Sequence, residues 1–329
     1  MKAVIYTCPY VPAEWIAAHG LRASRLLLDR VDSTSMFIRT EGVCPFVRSF
    51  ISEAMNNKDA EGVIVTTVCD QMRRVFDILV RKCELPAFLM NVPNTWQNIE
   101  SQKLYVDELK RLGRFLSRLG GKSPSNDMLI NIMLEYDTAR ATVLTARECL
   151  PARKYAEAIA AFGRDGPDQT TNRVRDTELQ ISGVSLAIVG GPLMKQDLDL
   201  FDIIEQSGGR IVLDATETGE RGLCSKFDRR RLHEEPLMEL ANSYFGGICD
   251  ASRRPNSGLY RWLEAEFDSR NVQGIIFCRH LWCDMWHAEL RRLKDWTDLP
   301  VLDIDTAGDN ETDGYRSINR IRAFLEMLQ

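Results

Sequence analysis

The sequence has no C-x-x-C pair, although it carries nine cysteines. That absence argues against a zinc ribbon, a thioredoxin-type redox pair and a compact ferredoxin cluster. Histidine is scarce as well: His19, His233, His280 and His287 show no H-E-x-x-H or comparable ligand spacing. The cysteines are odd in number and widely spread, so they do not form a disulfide scaffold. No run of about 18 apolar residues occurs, and no membrane span is expected. A basic excess is also missing. The 47 acidic residues outnumber 42 basic ones, giving a net charge of −5, which argues against general nucleic-acid binding. The opening MKAVIYTCPYVP lacks a small-residue cleavage site and reads as a first strand, so the cytoplasm is the expected compartment.

The composition suits a globular protein of two ordinary domains: 329 residues, 44% apolar and 27% charged. KAVIYT (2–7), GVIVTTV (62–68) and PAFLMNV (86–92) read as buried strands. Helices are expected at PAEWIAAHG, closed by Gly20, from Pro45 to about Met55 after a loop containing Gly42, and over about 70–82. From about 97 to 165 the apolar spacing is helical, and Gly120-Gly121 marks a break between two helices. GRDGPDQTTNR (163–173) reads as a loop, with Ser182-Gly183 leading into the last third of the chain. VSLAIVGG, RIVLDAT, GIIFC and LPVLDID are later strands, and INRIRAFLEML (318–328) is an amphipathic helix. The expected class is α/β, with two Rossmann-like parallel-sheet units and a helical section between them. The expected divisions are 1–96, 97–182 and 183–329, with no clear internal repeat.

In open parallel sheets, ligands bind beyond the carboxyl ends of the strands. Cys8, Cys69 and Cys283 fall near such ends, as do the Gly190-Gly191-Pro192 loop and Asp214, which points to a cleft between the units. Any one cysteine can equally be a small core hydrophobe. Three stand out by context: Cys44 in EGVCPFVRS, Cys69 in TTVCDQMRR and Cys283 in HLWCDMWHAEL. Each precedes a helix start, where the dipole and free N–H groups favour a thiolate, a soft metal ligand. Arg73 and Arg74, one turn past Cys69, face either the cleft or solvent. The Gly-Gly-Pro loop is either an anion cradle, as for a CoA phosphate, or simply a tight strand–helix turn.

VCPFVRS, TTVCDQMRR, VGGP, the segment around Cys283 and the ending RIRAFLE, in this order, resemble the D-component family of 2-hydroxyglutaryl-CoA dehydratase, which also includes benzoyl-CoA reductase subunits. The similarity runs from YTCPYVPAEWIAAHG to AFLEML. The resemblance implies a 4Fe–4S cluster held between two Rossmann-like units by Cys44, Cys69 and Cys283. It further implies an acyl-CoA substrate, an ATP-dependent iron–sulfur activator that delivers one electron, and pairing with a related subunit or a second copy. The implied reaction is radical dehydration of a 2-hydroxyacyl-CoA through a ketyl radical anion, a lyase reaction. No catalytic side chain is assigned.

Cys249, in YFGGICDASRRPN, matches a region where double-cubane-cluster members of the family carry cysteines, so a double-cubane reductase is an alternative. A non-catalytic electron-relay or scaffold subunit is another. Cys8 is expected to line the cleft, while His287, near Cys283 in the sequence, is either a hydrogen-bonding neighbour of the cluster or a residue with no part in it. Cys278 reads as a buried thiol, and Cys83, Cys149 and Cys224 as packing or surface residues. The chain departs from the family pattern at Gly314-Tyr315, where a Gly-Gln pair is usual, and at Arg322, where Glu is usual. The sequence does not name the acyl group.

Overall fold

The computed structural model describes residues 3–31, 43–167, 182–306 and 311–329, with side chains in the last stretch from 316. Gly42, the loop segment 168–173 and the side chains at 314–315, all singled out above, lie outside the described residues.

The first unit runs β1 (Ala3–Tyr6), α1 (Ala13–Ala18), β2 (Arg22–Arg25), α2 (Pro45–Asn56), β3 (Ala60–Thr66), α3 (Asp70–Lys82) and β4 (Ala87–Met90). Its strands form an all-parallel sheet in the order β2-β1-β3-β4. β1 and the end of β3 are buried, as their unbroken apolar runs require of strands covered on both faces. β2 is a strand that apolar patterning does not announce. Its sequence is Arg-Ala-Ser-Arg, and only Ala23 and Ser24 are buried. A four-residue edge strand with charged ends needs only to pair with β1, which it does from Ala3↔Arg22 to Tyr6↔Arg25.

Three helices come next: α4 (Ile99–Arg118), α5 (Asn126–Thr145) and α6 (Ala152–Asp165). The break at Gly120-Gly121 is present, and Gly120 takes a left-handed φ of 96° that a side chain would resist. A second break lies at 146–151, so there are three helices where the sequence reading has two. Pro151 caps the start of α6, where its ring is tolerated, but it could not have continued α5.

The second unit runs β5 (Val184–Gly190), α7 (Asp199–Gln206), β6 (Gly209–Ala215), α8 (Arg229–Glu234), α9 (Pro236–Ala241), α10 (Ser257–Ser269), β7 (Gly274–Arg279), α11 (Asp284–Trp296), β8 (Val301–Asp305) and α12 (Glu311–Leu328). Its parallel sheet has the order β6-β5-β7-β8, the same as the first unit when strands are counted from each unit's start. The chain therefore repeats a topology without repeating a sequence. Each sheet reverses its direction of winding between its first and third strands, at β1/β3 and β5/β7, and those are the places where such sheets bind ligands.

The helical layer is fastened to the rest by buried charge. Arg140 on α5 pairs with Glu14 on α1 and with Asp137, and Glu14 also accepts from the Tyr244 hydroxyl. Glu14, Asp137 and Arg140 are all buried. A buried ion pair adds little over an apolar pair, but an orphaned member is costly. Arg140→Met should therefore lower unfolding stability by about 3–5 kcal/mol by stranding Glu14. Pairing it with Glu14→Leu should recover most of that loss. Urea unfolding followed by circular dichroism reads both, and a single variant as stable as wild type would contradict this role for the buried charges.

Candidate functional site

The two winding-reversal points open into one cavity of about 330 Å³. The first unit lines it with Cys8 after β1, Cys44 before α2, and Thr67 and Cys69 after β3. The second unit contributes Pro192 after β5, Glu217 after β6, and His280, Trp282 and Cys283 after β7. Cys44, Cys69 and Cys283 stand at the N-cap positions of α2, α3 and α11. The Cys69 sulfur accepts a hydrogen bond from the Met72 N–H at 3.4 Å. Backbone N–H groups of Val47 and Phe46 lie near Cys44 and that of Trp286 near Cys283, where they favour the thiolate, although neither sulfur accepts a formed cap hydrogen bond. Three helix N-termini thus turn their positive ends and free donors toward one space.

Burial still dominates in the metal-free chain. Desolvation raises all three thiols above the ordinary cysteine range, Cys69 to about 11 and Cys283 to about 12, and the N–H groups offset only part of this. Cys69 is raised further by Cys44, and Cys283 by both Cys44 and Cys69. Among the described residues, no three His, Cys, Asp or Glu side chains converge closely enough to hold a single metal ion. A set of thiols around a cavity is a different arrangement, since the ligands of a polynuclear cluster bind separate metal atoms.

The wall is braced by residues whose roles the sequence does not announce. His280 is buried and bonds the Pro192 carbonyl through Nε2 at 2.7 Å and the Thr306 hydroxyl through Nδ1 at 2.9 Å. Burial lowers its pKa, so it is a neutral imidazole whose Nε2–H donates to Pro192. The ring also stacks on Phe46 of α2 and so joins the two units beside Cys44. Arg221 donates to the carbonyls of Ala215, Gly190 and Cys249, pairs with Asp250 at 2.7 Å, and lies over the Trp286 ring. Glu217 is half-buried in the wall. Its carboxyl is pushed up chiefly by burial and then by Asp250, against the pull of Arg25 and Arg221. Trp282 holds a left-handed φ of 66° and is 55% exposed at the cavity.

The remaining candidates lie elsewhere, apart from Arg73, which lines the cavity. Arg74 does not line it, and His287 is exposed on α11. Cys249 opens instead on a small recess with Trp96 and Gly258. Cys278 is buried in β7, and a side chain on Gly190 would meet its carbonyl at 1.9 Å, so the Gly-Gly-Pro turn depends on that close approach. Cys224 is buried beside the Arg140 network, and Cys83 and Cys149 are partly buried away from the cavity.

A family model described as 2-hydroxyglutaryl-CoA dehydratase, D-component, matches residues 8–328, and the chain belongs to that family. It is thus of the class of a dehydratase component. No curated protein matches the chain. No helix among the described residues is long and apolar enough to cross a membrane.

Asp214 supports the turn that carries Glu217 by accepting bonds from the Thr216 N–H and hydroxyl. Burial lifts its carboxyl to about 6 despite those bonds. An unfolded chain releases this proton near pH ~3.9. Between the two values the unfolded state binds fewer protons, so this residue's contribution is full below about pH 4 and is lost as pH rises to about 6. The stability difference between wild type and Asp214→Asn should therefore shift against wild type across that window. Urea unfolding at a series of pH values measures it, and a difference that does not change with pH would disprove it.

Proposed function

We propose that this chain is the iron–sulfur subunit of a 2-hydroxyacyl-CoA dehydratase-like enzyme, holding a 4Fe–4S cluster on Cys44, Cys69 and Cys283. The observation that carries this reading is the convergence of three N-cap thiols, drawn from both units, on one cavity. The donor set fits the group: soft sulfur ligands at helix N-termini that favour negative charge, set in a largely buried wall. The N–H groups aimed at the sulfurs would lower their electron density and tune the potential. When bound, such a cluster supplies one-electron chemistry and, with three protein thiolates for four irons, an open iron.

The chain's own residues would then do the rest. Because burial keeps the thiols protonated in the metal-free form, cluster assembly would release their protons and gain affinity as pH rises. Neutral His280 would hold the Pro192 turn against the α2 side of the site and add no positive charge. Glu217 keeps its proton to a higher pH than a free glutamate does, and would give it to a departing hydroxyl group. Cys8 lines the cavity but, unlike Cys44, Cys69 and Cys283, does not stand at a helix N-cap, which suits a neutral wall residue better than a fourth ligand. Cys249 opens on a different recess, which supports a single cluster over a double cubane. By the family reading, an ATP-dependent iron–sulfur activator delivers the electron, and a related subunit or second copy pairs with the chain in the cytoplasm. The relay and scaffold alternatives separate from the enzyme by turnover of a 2-hydroxyacyl-CoA with activator and ATP.

Protein prepared and reconstituted without oxygen should be brown and bind about four irons per chain. Cys44→Ser, Cys69→Ser and Cys283→Ser should each lose most of that iron, while Cys83→Ser, Cys149→Ser and Cys249→Ser should keep it. Iron and sulfide analysis with visible absorbance decides the matter. Equal iron in all six variants, or a colourless wild type, removes the proposal.

A further inference from the structure

Apart from the cysteine cavity, a groove of about 580 Å³ runs along β4, an outer strand of the first sheet. Its floor is apolar: the rings of Phe88 and Phe115 lie 5.2 Å apart, with Phe76 of α3 beside them. Its rim is basic. Arg111, Arg114 and Arg118 recur at spacings of three and four residues, on one face of α4. Among the described residues that line the groove, none is acidic.

The three arginines are not equivalent. Arg111 is committed locally: its guanidinium lies 4.4 Å over Phe88, pairs with Glu108 and donates to the Leu89 carbonyl. Arg114 and Arg118 are exposed, with no ion-pair partner among the described residues. Unpaired guanidinium groups beside an aromatic floor suit a ligand that carries both phosphate and a flat ring, since arginine binds phosphate in a fork and stacks on planar systems. The groove also adjoins the site. Thr67 lines both spaces, and Arg73 lies on the cavity side. A ligand that reached from here past Thr67 would present its other end to the three thiols.

An outer strand can instead accept a peptide strand along its edge. Here Arg111 already occupies the Leu89 carbonyl, one of the acceptors such a peptide would need. The absence of acidic lining among the described residues, and the shared wall at Thr67, favour a small anionic ligand. We infer that the groove holds the phosphorylated adenosine tail of coenzyme A, with Arg114 and Arg118 on its phosphates, while the acyl end crosses Thr67 into the cavity. This rests on the acyl-CoA reading above and adds where the tail lies and which residues select it.

Isothermal titration of the full chain with CoA, 3′-dephospho-CoA and pantetheine tests the inference. Arg114→Glu with Arg118→Glu should weaken CoA binding by roughly a hundredfold, about tenfold for each charged contact removed. 3′-Dephospho-CoA should lose less, and pantetheine should be unaffected. Both positions are exposed, so the melting temperature should not move, and the iron content should match wild type because the thiols are untouched. CoA binding that is equal in wild type and the double variant would overturn the inference, as would failure of wild type to bind CoA. Unchanged CoA binding with loss of activator- or subunit-dependent turnover would also overturn it, by making the groove a protein-docking surface. Wild type that binds CoA in this Arg-dependent way but takes up no iron would sustain the groove while refuting the cluster reading.

Discussion

The cavity depends first on Arg221. It is a buried arginine in the second unit, and its guanidinium holds the carbonyls that end β5 and β6, the Cys249 carbonyl and the Asp250 carboxylate at once. Without those donors, the two strand-end carbonyls of Gly190 and Ala215 would lose this partner in a buried setting, at about 1–3 kcal/mol each. The same planar group packs over the ring of Trp286, whose backbone N–H lies near Cys283. One side chain therefore sets the heights of the strand ends and the angle of the helix that carries a cavity thiol. Lysine could not substitute, because its point charge has neither the fork nor the flat face.

Arg221 organises one unit, but the thiols come from two. The clamp across the units is again polar. Arg25 donates from the end of β2 to Thr7 and to the Glu217 and Gly222 carbonyls, and Arg30 reaches Asp197 and the Thr306 carbonyl. His280 adds its stack on Phe46. Such contacts fix direction as well as distance, which suits a cavity whose walls must stay in register. Apolar packing contributes too, since Met194 of the second unit is buried within a hydrophobic cluster of the first.

Much of this architecture is legible in the sequence. Unbroken apolar runs mark β1, β3, β5 and β7, and the segments Val-Cys-Pro and Cys-Asp announce helix starts at Cys44, Cys69 and Cys283. β2 is not legible, because Arg-Ala-Ser-Arg carries no apolar pattern and is held by its neighbour. The break before α6 is hidden by helix-forming residues on both sides, with only Pro151 to betray it. The wall residues are less legible still. Arg221 and Glu217 look like ordinary charged residues in TETGERG, and His280 has no ligand spacing. What makes them matter is burial beside groups distant in sequence, and local pattern does not encode that.

The repeated strand order carries a consequence for how such a site can arise. Each unit alone presents an open winding-reversal point with helix N-termini facing solvent, a place that attracts anions but cannot exclude water. When two such points face each other, they enclose a space, and burial then changes the chemistry of whatever lines it. The thiols show the change: helix N-termini that would lower an exposed cysteine are outweighed by desolvation once the second unit closes over the first. A group that binds the sulfurs themselves as thiolates must bring enough positive charge to displace their protons, as metal ions do. The groove beside Thr67 carries Arg114 and Arg118, which have no ion-pair partner among the described residues and would favour the opposite sign of charge. Two adjoining spaces of opposite preference suit a ligand with a reactive end and a charged, recognisable tail.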